Sequence, residues 1–290
     1  MIRSVKPYIY LLFRLSKGTI AFPVSFLSFA GFVILRHSIN IATLIATSGV
    51  LLVVSGALIL NQLIEKDKDK LMERTMNRPI VKGEIKSIGA LFISLLFAVI
   101  GIVLLYCFKP LSGWLAIINL VWYLGVYTPL KRVTSFAVVP GALIGGITVL
   151  IGWTAAGGSI TDYKIVLISL FVFMWQIPHF WLLMLIYGDE YESAGFPTIF
   201  RIFNVHLVQL WTLGWIVAAC IVSLFFPLFQ IVYGKSIFYT IIGLQTAVIG
   251  YSLITLLKQI DKLRLQVLFH LVNIFMFLVM VLLVIESLMA

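Results

Sequence analysis

The chain alternates between long apolar runs and short polar connections. Nine of the runs have about the length of 17 to 25 residues that an α-helix needs to cross roughly 30 Å of hydrocarbon. Backbone amides inside a bilayer must bond within their own segment, so we expect each run to be a helix. The pattern therefore predicts an all-α integral membrane bundle that forms a single polytopic domain over residues 1–290. The predicted spans are 20–36, 41–62, 88–107, 112–129, 137–157, 164–187, 207–228, 237–257 and 266–286.

Composition supports this class and excludes a soluble one. The 290 residues are 62% hydrophobic and only 11% charged, and their mean hydropathy is +1.12. A soluble domain of this length carries far more charge. The lipid bilayer is thus the expected environment, and no nucleic-acid partner is predicted.

The positions of the charged residues predict an orientation. With nine spans, the amino-terminus and the connections after helices 2, 4, 6 and 8 share one side, which holds most of the 11 acidic residues. It also holds all but four of the 21 basic residues, the exceptions being Arg36, Lys109, Lys164 and Lys235. Because connections rich in Lys and Arg stay in the cytoplasm, we expect a cytoplasmic amino-terminus in a cell (inner) membrane. The positive-inside rule does not require the acids, so their position indicates a working cytoplasmic face.

One stretch of this face, "NQLIEKDKDKLMERTMNRP" at 61–79, has a spacing suited to metal binding. If the second helix continues past the membrane, Asn61, Glu65 and Asp69 stand at i, i+4 and i+8, within about 80° of one face, while Asp67 points away. The outer two would lie roughly 12 Å apart along the axis, too far for one Mg²⁺ with oxygen ligands at about 2.1 Å. Neighbouring pairs could each hold an ion that a bridging diphosphate completes.

Further charges on the same side favour this interpretation over a merely solvated, salt-bridged helix end. A second acidic cluster, "YGDEYESAGFP", follows the sixth helix and contains Asp189, Glu190 and Glu192. Cations that an anionic diphosphate needs are present nearby. They are Arg74, Arg78, Lys131 and Arg132. Two carboxylate clusters facing basic connections predict a metal–diphosphate site at one cytoplasmic mouth.

These residues resemble the UbiA-type intramembrane prenyltransferases. The family signature N-x-x-x-D-x-x-x-D is matched by Asn61, Glu65 and Asp69, with Glu65 departing by one methylene. The resemblance is closer to one branch, which transfers a farnesyl group to haem b (protohaem IX) to make haem O. The stretches that resemble this branch are "MERTMNRP" at 72–79, "YTPLKRVT" at 127–134, "PGALIGGITVLIGW" at 140–153 and "WQIPHFWLLMLI" at 175–186.

The resemblance implies roles for individual residues. Farnesyl diphosphate and haem b would be the substrates and Mg²⁺ the cofactor, and Asn61, Glu65, Asp69 and Lys131 would be the catalytic residues. The metal would be held by Asn61, Glu65 and Asp69 from the first motif. The second motif departs from the family pattern, which leaves either Asp189 or Glu190 as its ligand. The diphosphate would be bound by Arg74, Arg78, Lys131, Arg132 and Tyr127.

Other residues near these motifs have two interpretations. His179, beside Pro178, would contact haem iron or would be an ordinary hydrogen-bonded histidine at a helix kink. Tyr191 would donate to the diphosphate or would anchor the helix at the membrane interface. The small residues Gly141, Gly145 and Gly146 would allow close helix packing or would leave a slot for a flat porphyrin.

Two other functions compete with haem farnesylation. The first is prenyl transfer to an aromatic acid or quinone precursor by the same metal site. The second is secondary transport, which is disfavoured because the apolar spans contain almost no charge at mid-depth. A haem A synthase is a candidate protein partner that the sequence does not decide.

Overall fold

The computed structural model describes residues 6–257 and 261–290, and this part of the chain is helical. Within it, nine helical spans are long and apolar enough to cross a membrane, so the predicted number is confirmed. Of the basic residues counted above, Arg3 and Lys258 lie outside the described residues. The principal helices are α1 (Lys6–Leu15), α2 (Gly18–Arg36), α3 (Ile41–Ile64), α4 (Lys66–Asp69), α5 (Ser87–Phe108), α6 (Pro110–Val121), α7 (Thr128–Leu130), α8 (Val138–Ala155), α9 (Tyr163–Ser193), α10 (Val205–Leu224), α11 (Lys235–Leu256) and α12 (Lys262–Met289).

Local signals explain where several helices begin. The Asn40 side chain accepts a hydrogen bond from Thr43 N at 3.1 Å, and the Thr43 hydroxyl accepts one from Asn40 N, which closes a capping box on α3. Asp162 caps α9, and Pro110 occupies the first turn of α6, where its missing N–H has no helical partner to lose. The predicted spans agree with the observed ones within a few residues, except that α9 extends to Ser193 rather than ending at 187.

Glycines bring the helix backbones together. A Cβ on Gly152 of α8 would lie 1.8 Å from Ser28 O of α2, and one on Gly56 of α3 would lie 2.6 Å from Ser94 O of α5. Small residues allow this approach in membranes, where packing rather than hydrophobic exclusion holds helices together. The α2–α8 and α3–α5 contacts thus form the frame on which the polar end is built.

The glycines of α8 lie close to neighbouring groups. A Cβ on Gly141 would lie 2.6 Å from the Tyr127 ring, and one on Gly145 would lie 2.2 Å from Gln176 Oε1. A Cβ on Gly146 would lie 3.0 Å from Ser169 O of α9. Neighbouring side chains and backbone occupy the space beside these glycines, which favours close packing, one of the two interpretations, over a porphyrin slot.

Two irregularities lie near the ends of helices that carry predicted site residues. The fourth span changes from α6 to a π-helix at Trp122–Tyr127 before α7, and such insertions re-aim the side chains that follow. Helix α9 bends at Tyr187, whose φ of −123° is not helical, and then continues for one more turn and a half. The second acidic cluster was expected on a connection after the sixth span, but Asp189 and Glu190 lie on this helical extension.

Candidate active site at one end of the bundle

The end of α3 positions the first acidic motif. Helix α3 ends at Ile64, Glu65 has φ −100° and ψ 5°, and the short α4 resumes at Lys66. Asn61, Glu65 and Asp69 are only 2%, 5% and 1% exposed, whereas 93% of the Asp67 side chain is exposed. The three residues therefore share one buried face and Asp67 lies on the other, although the helix is not continuous between them.

Each buried carboxylate is paired with a cation from elsewhere in the chain. Lys131 Nζ lies 2.6 Å from Glu65 Oε1, and the Arg78 guanidinium donates to Asp69 Oδ2. The Thr75 hydroxyl donates to the Asp69 carbonyl at 2.9 Å, which holds the loop against α4. Asp69 Oδ1 is buried and has no hydrogen-bond partner among the described residues. One carboxylate oxygen is thus left available inside a charged cluster.

Lys17 joins this cluster and was missed from the sequence. Its Nζ donates to Asn61 Oδ1 at 3.3 Å, and its backbone is left-handed, with φ 49°. Burial and the nearby Arg78 and Lys131 lower the pKa of Lys17 well below its usual value, and Asp69 and Glu65 act in the opposite direction. A non-glycine residue in this conformation is uncommon and is typical of strained functional positions. The only sequence signal was a lysine immediately before the first apolar run.

The fourth span supplies the other side of the cluster. Lys131 Nζ lies 5.3 Å from the centre of the Tyr127 ring, which stacks on Tyr123 at 5.8 Å. Burial lowers the pKa of Lys131, while the Glu65 carboxylate raises it. Asn61 Nδ2 approaches the buried Thr128 hydroxyl at 3.5 Å. The π-helix and α7 therefore deliver Tyr127, Thr128 and Lys131 to one point.

Arg132 is placed differently from the other predicted cations. It is exposed, and its Nη2 donates to Ile64 O at 2.8 Å. This contact satisfies a carbonyl at the end of α3 and adds positive charge to a helix carboxyl-terminus. Arg132 thus supports the helix that carries Glu65 rather than contacting either carboxylate.

The second acidic motif faces the loop after α4. Glu190 Oε2 accepts a hydrogen bond from Arg74 N at 3.3 Å, and Arg74 Nη2 donates to the Tyr191 hydroxyl at 3.0 Å. The Arg74 guanidinium also lies 5.5 Å from the Tyr187 ring centre. Asp189 is exposed. Of the two candidate ligands, Glu190 is the one directed toward the first motif's loop.

His179 lies deeper in the bundle, 11 positions before Glu190 on α9 and thus roughly 16 Å along the axis. Its Nδ1 is 2.7 Å from Asn273 Oδ1, and Asn273 Nδ2 donates to Phe269 O at 2.6 Å. Because the Asn273 amide nitrogen donates to Phe269 O, the Asn273 amide oxygen must accept a hydrogen bond from His179 Nδ1–H. The neutral ring therefore presents Nε2 as an acceptor, and no partner for Nε2 is found among the described residues. The structure thus satisfies one nitrogen of His179 and leaves the other unused.

The oxygen atoms of the cluster are of the kind that Mg²⁺ prefers, although the acidic residues are spread apart. Mg²⁺ prefers carboxylate and carbonyl oxygens with several waters, and the cluster offers Glu65, Asp69 and the Asn61 amide. In residues 6–257 and 261–290, no three His, Cys, Asp or Glu side chains lie close enough to bind one ion. The carboxylates of Glu65 and Asp69 are instead paired with Lys131 and Arg78. The buried Asp69 Oδ1 without a hydrogen-bond partner is the atom that best fits a metal.

Fold and site together define the class: a polytopic helical membrane protein with a buried cluster of carboxylates and cations at one end of its bundle. The UbiA prenyltransferase family model matches residues 21–281. The chain therefore belongs to the UbiA prenyltransferase family.

Two relatives of this chain are each named protoheme IX farnesyltransferase. The chain is 39% identical to the protoheme IX farnesyltransferase of Geobacter sulfurreducens over 168 residues. This match covers 58% of the chain and 62% of the relative. The chain is 36% identical over 222 residues to the protoheme IX farnesyltransferase of Flavobacterium psychrophilum, 73% of each chain. The match to the first of these spans less than two thirds of the relative's length.

Solved structures share the fold. A structure of digeranylgeranylglyceryl phosphate synthase has a TM-score of 0.79 at 17% identity, covering 97% of this chain and 99% of that one. A UbiA homologue from Archaeoglobus fulgidus, bound to GPP and Mg²⁺, has a TM-score of 0.67 at 13% identity, covering 97% and 100%. At such identities the likeness establishes the fold alone.

Proposed function

We propose that this chain transfers a farnesyl group from farnesyl diphosphate to a vinyl group of haem b, with addition of water, to give haem O. The observation that carries the proposal is the cluster in which buried Glu65 and Asp69 meet Lys131, Arg78 and Lys17. A diphosphate needs this combination of metal-binding carboxylates and cations. The names of the relatives support the choice of substrates.

In this proposal the chain's own groups bind and activate the diphosphate. Neighbouring pairs among Asn61, Glu65 and Asp69, with Glu190 from the second motif, would each hold a Mg²⁺ ion. When bound, the metal supplies Lewis-acid neutralisation of the diphosphate leaving group. Lys131 and Arg78, now paired with the carboxylates, would donate to the diphosphate oxygens.

Neutralising the leaving group lowers the free energy needed to break the C1–O bond of the prenyl diphosphate. The pair of bonding electrons leaves with the diphosphate, and the allylic cation is attacked by the vinyl group of haem. Water then adds to the cation on the porphyrin side, and one proton is released. Burial of the carboxylate cluster keeps bulk water from hydrolysing the diphosphate first.

His179 supports haem as the acceptor. A histidine that ligates a metal usually donates its other ring N–H to a fixed acceptor, and Asn273 is such an acceptor at 2.7 Å. The ring centre also lies 5.4 Å from that of Phe180, which in turn lies 5.9 Å from Tyr127. Aromatic side chains thus connect His179 to Tyr127, whose ring centre lies 5.3 Å from Lys131 Nζ.

The orientation and location belong to the same proposal. We place the carboxylate end of the bundle at the cytoplasmic face of the cell membrane, because this end carries most of the basic residues. A haem A synthase that accepts haem O is a candidate partner.

The experiment that tests the proposal supplies purified protein with farnesyl diphosphate and Mg²⁺ and offers either haem b or 4-hydroxybenzoate as acceptor. We expect a more hydrophobic haem on reversed-phase chromatography and no prenylated benzoate. Prenylated 4-hydroxybenzoate with unchanged haem b would show that the acceptor is an aromatic acid. It would overturn the haem assignment while leaving the diphosphate chemistry intact.

A further inference from the structure

A second polar cavity lies at the opposite end of the bundle from the carboxylate cluster. Its volume is about 370 Å³, and it lies where α2 ends, α3 begins and α5 turns into α6. Since α3 runs from this cavity to Asn61 and Ile64, the two sites are on opposite membrane faces. The residues that line it and matter here are Phe32, Arg36, Ser38, Asn40, Phe108 and Lys109.

Two cations converge in this cavity. Arg36 Nη2 and Lys109 Cε lie 3.7 and 3.8 Å from the position that a Cβ on Gly157 would occupy. Gly157 has φ 98°, a conformation that L side chains rarely adopt, so no side chain of its own separates Arg36 from Lys109. Neither cation is within ion-pair distance of an acid in the part of the chain that the structure describes. The cavity therefore concentrates positive charge.

The acids of this face are used elsewhere. Glu286 Oε1 accepts hydrogen bonds from Tyr233 N at 2.6 Å and Gly234 N at 2.7 Å. Asp162 Oδ1 accepts one from Lys164 N at 2.9 Å, as the cap of α9. With both acids engaged by backbone amides, an external anion is the available counter-charge for Arg36 and Lys109.

The rest of the lining decides the kind of anion. Phe108 lines the cavity beside the cations, at the end of a helix apolar enough to cross a membrane, whereas Phe32 is only 3% exposed. A free phosphate would gain nothing from this apolar edge, whereas an amphiphile places its phosphate on the cations and its glycerol and upper chains against Phe108. We propose that this cavity binds the phosphate of a membrane phospholipid through Arg36 and Lys109.

The test uses the full chain purified in detergent, with phosphatidylglycerol, diacylglycerol or inorganic phosphate as probes. We expect phosphatidylglycerol to remain bound in native mass spectrometry and to raise the thermal unfolding midpoint, and the other two probes to do neither. Charge-assisted hydrogen bonds are strong enough that Arg36→Gln with Lys109→Gln should weaken phosphatidylglycerol binding by about tenfold or more. Lys235→Gln removes a cation of the same face outside the cavity and serves as the matched control.

Each result decides between the alternatives. Weaker phosphatidylglycerol binding in the double variant, with unchanged binding in Lys235→Gln, supports the site. Equal binding in the double variant and the unchanged protein would overturn it. Stabilisation by inorganic phosphate as large as that by phosphatidylglycerol would overturn the assignment to a lipid. None of these measurements uses prenyl transfer, so they stand apart from the proposed function.

Discussion

The pair formed by Asp69 and Arg78 allows a test that separates catalysis from stability. Asp69→Asn keeps the shape of the side chain and removes its charge, which leaves the Arg78 guanidinium beside a neutral amide. Asp69 is 1% exposed and the Arg78 side chain is 20% exposed. Because removing one partner of a buried pair costs about 3–5 kcal/mol and an exposed pair contributes at most about 1, we expect about 1–3 kcal/mol of destabilisation.

The same substitution should have a larger effect on the reaction. If Asp69 binds the metal–diphosphate group, its loss removes a preorganised electrostatic contact, which typically lowers turnover by about 10²–10³-fold. Arg78→Gln should act similarly through the diphosphate. The double variant Asp69→Asn with Arg78→Gln leaves no uncompensated charge, so its unfolding free energy should recover toward that of the unchanged protein. Its activity should not recover.

The assay measures the initial rate of diphosphate release at saturating Mg²⁺ and farnesyl diphosphate, and thermal unfolding of the same preparations. Asp67→Asn is the matched control, because the Asp67 side chain is 93% exposed and, within the described part of the chain, pairs only with Lys70, at 3.1 Å. We expect its rate within about twofold and its unfolding midpoint unchanged, as for ordinary surface substitutions. Recovery of activity together with stability in the double variant would refute the reasoning, since the pair would then be purely structural.

Four further predictions follow from other parts of the molecule. Reporters fused after the second, fourth and sixth membrane spans should all be cytoplasmic, and a periplasmic signal from any of them would contradict the orientation. Asn273→Leu and His179→Ala should both raise the KM for haem b and alter the absorption spectrum of bound haem, whereas Asn273→Asp should change neither. An unchanged spectrum in the first two variants would remove His179 as a ligand. Gly152→Ala should lower the unfolding midpoint because its Cβ would lie 1.8 Å from Ser28 O, whereas Gly250→Ala, with nothing within 4 Å, should not. Lys17→Gly removes the strain of a left-handed lysine backbone and should raise the unfolding midpoint. The same substitution should weaken inhibition by inorganic diphosphate, and retained inhibition would show that the Lys17 ammonium group does not bind diphosphate.

Periodicity predicted the membrane helices well because the bilayer imposes one length and one kind of secondary structure. The nine spans are within a few residues of those expected, apart from the extension of α9 to Ser193. That extension was not predictable from hydropathy, because the bend at Tyr187 and the last turns depend on Arg74 and the loop packed against them. The same limit applies to the break at Glu65, where a continuous helix was assumed.

The sequence predicted the acidic residues of the candidate site but not which cation contacts each of them. Spacing at i, i+4 and i+8 is a local property, so the common burial of Asn61, Glu65 and Asp69 could be expected from the sequence alone. Which cation meets which carboxylate is a tertiary property. Lys131 reaches Glu65 from 66 positions away because the π-helix turns it inward, and Arg132, its neighbour, is turned to Ile64 O instead. Two adjacent basic residues that look equivalent in sequence therefore have different surroundings, and of the two only Lys131 pairs with a carboxylate of the cluster.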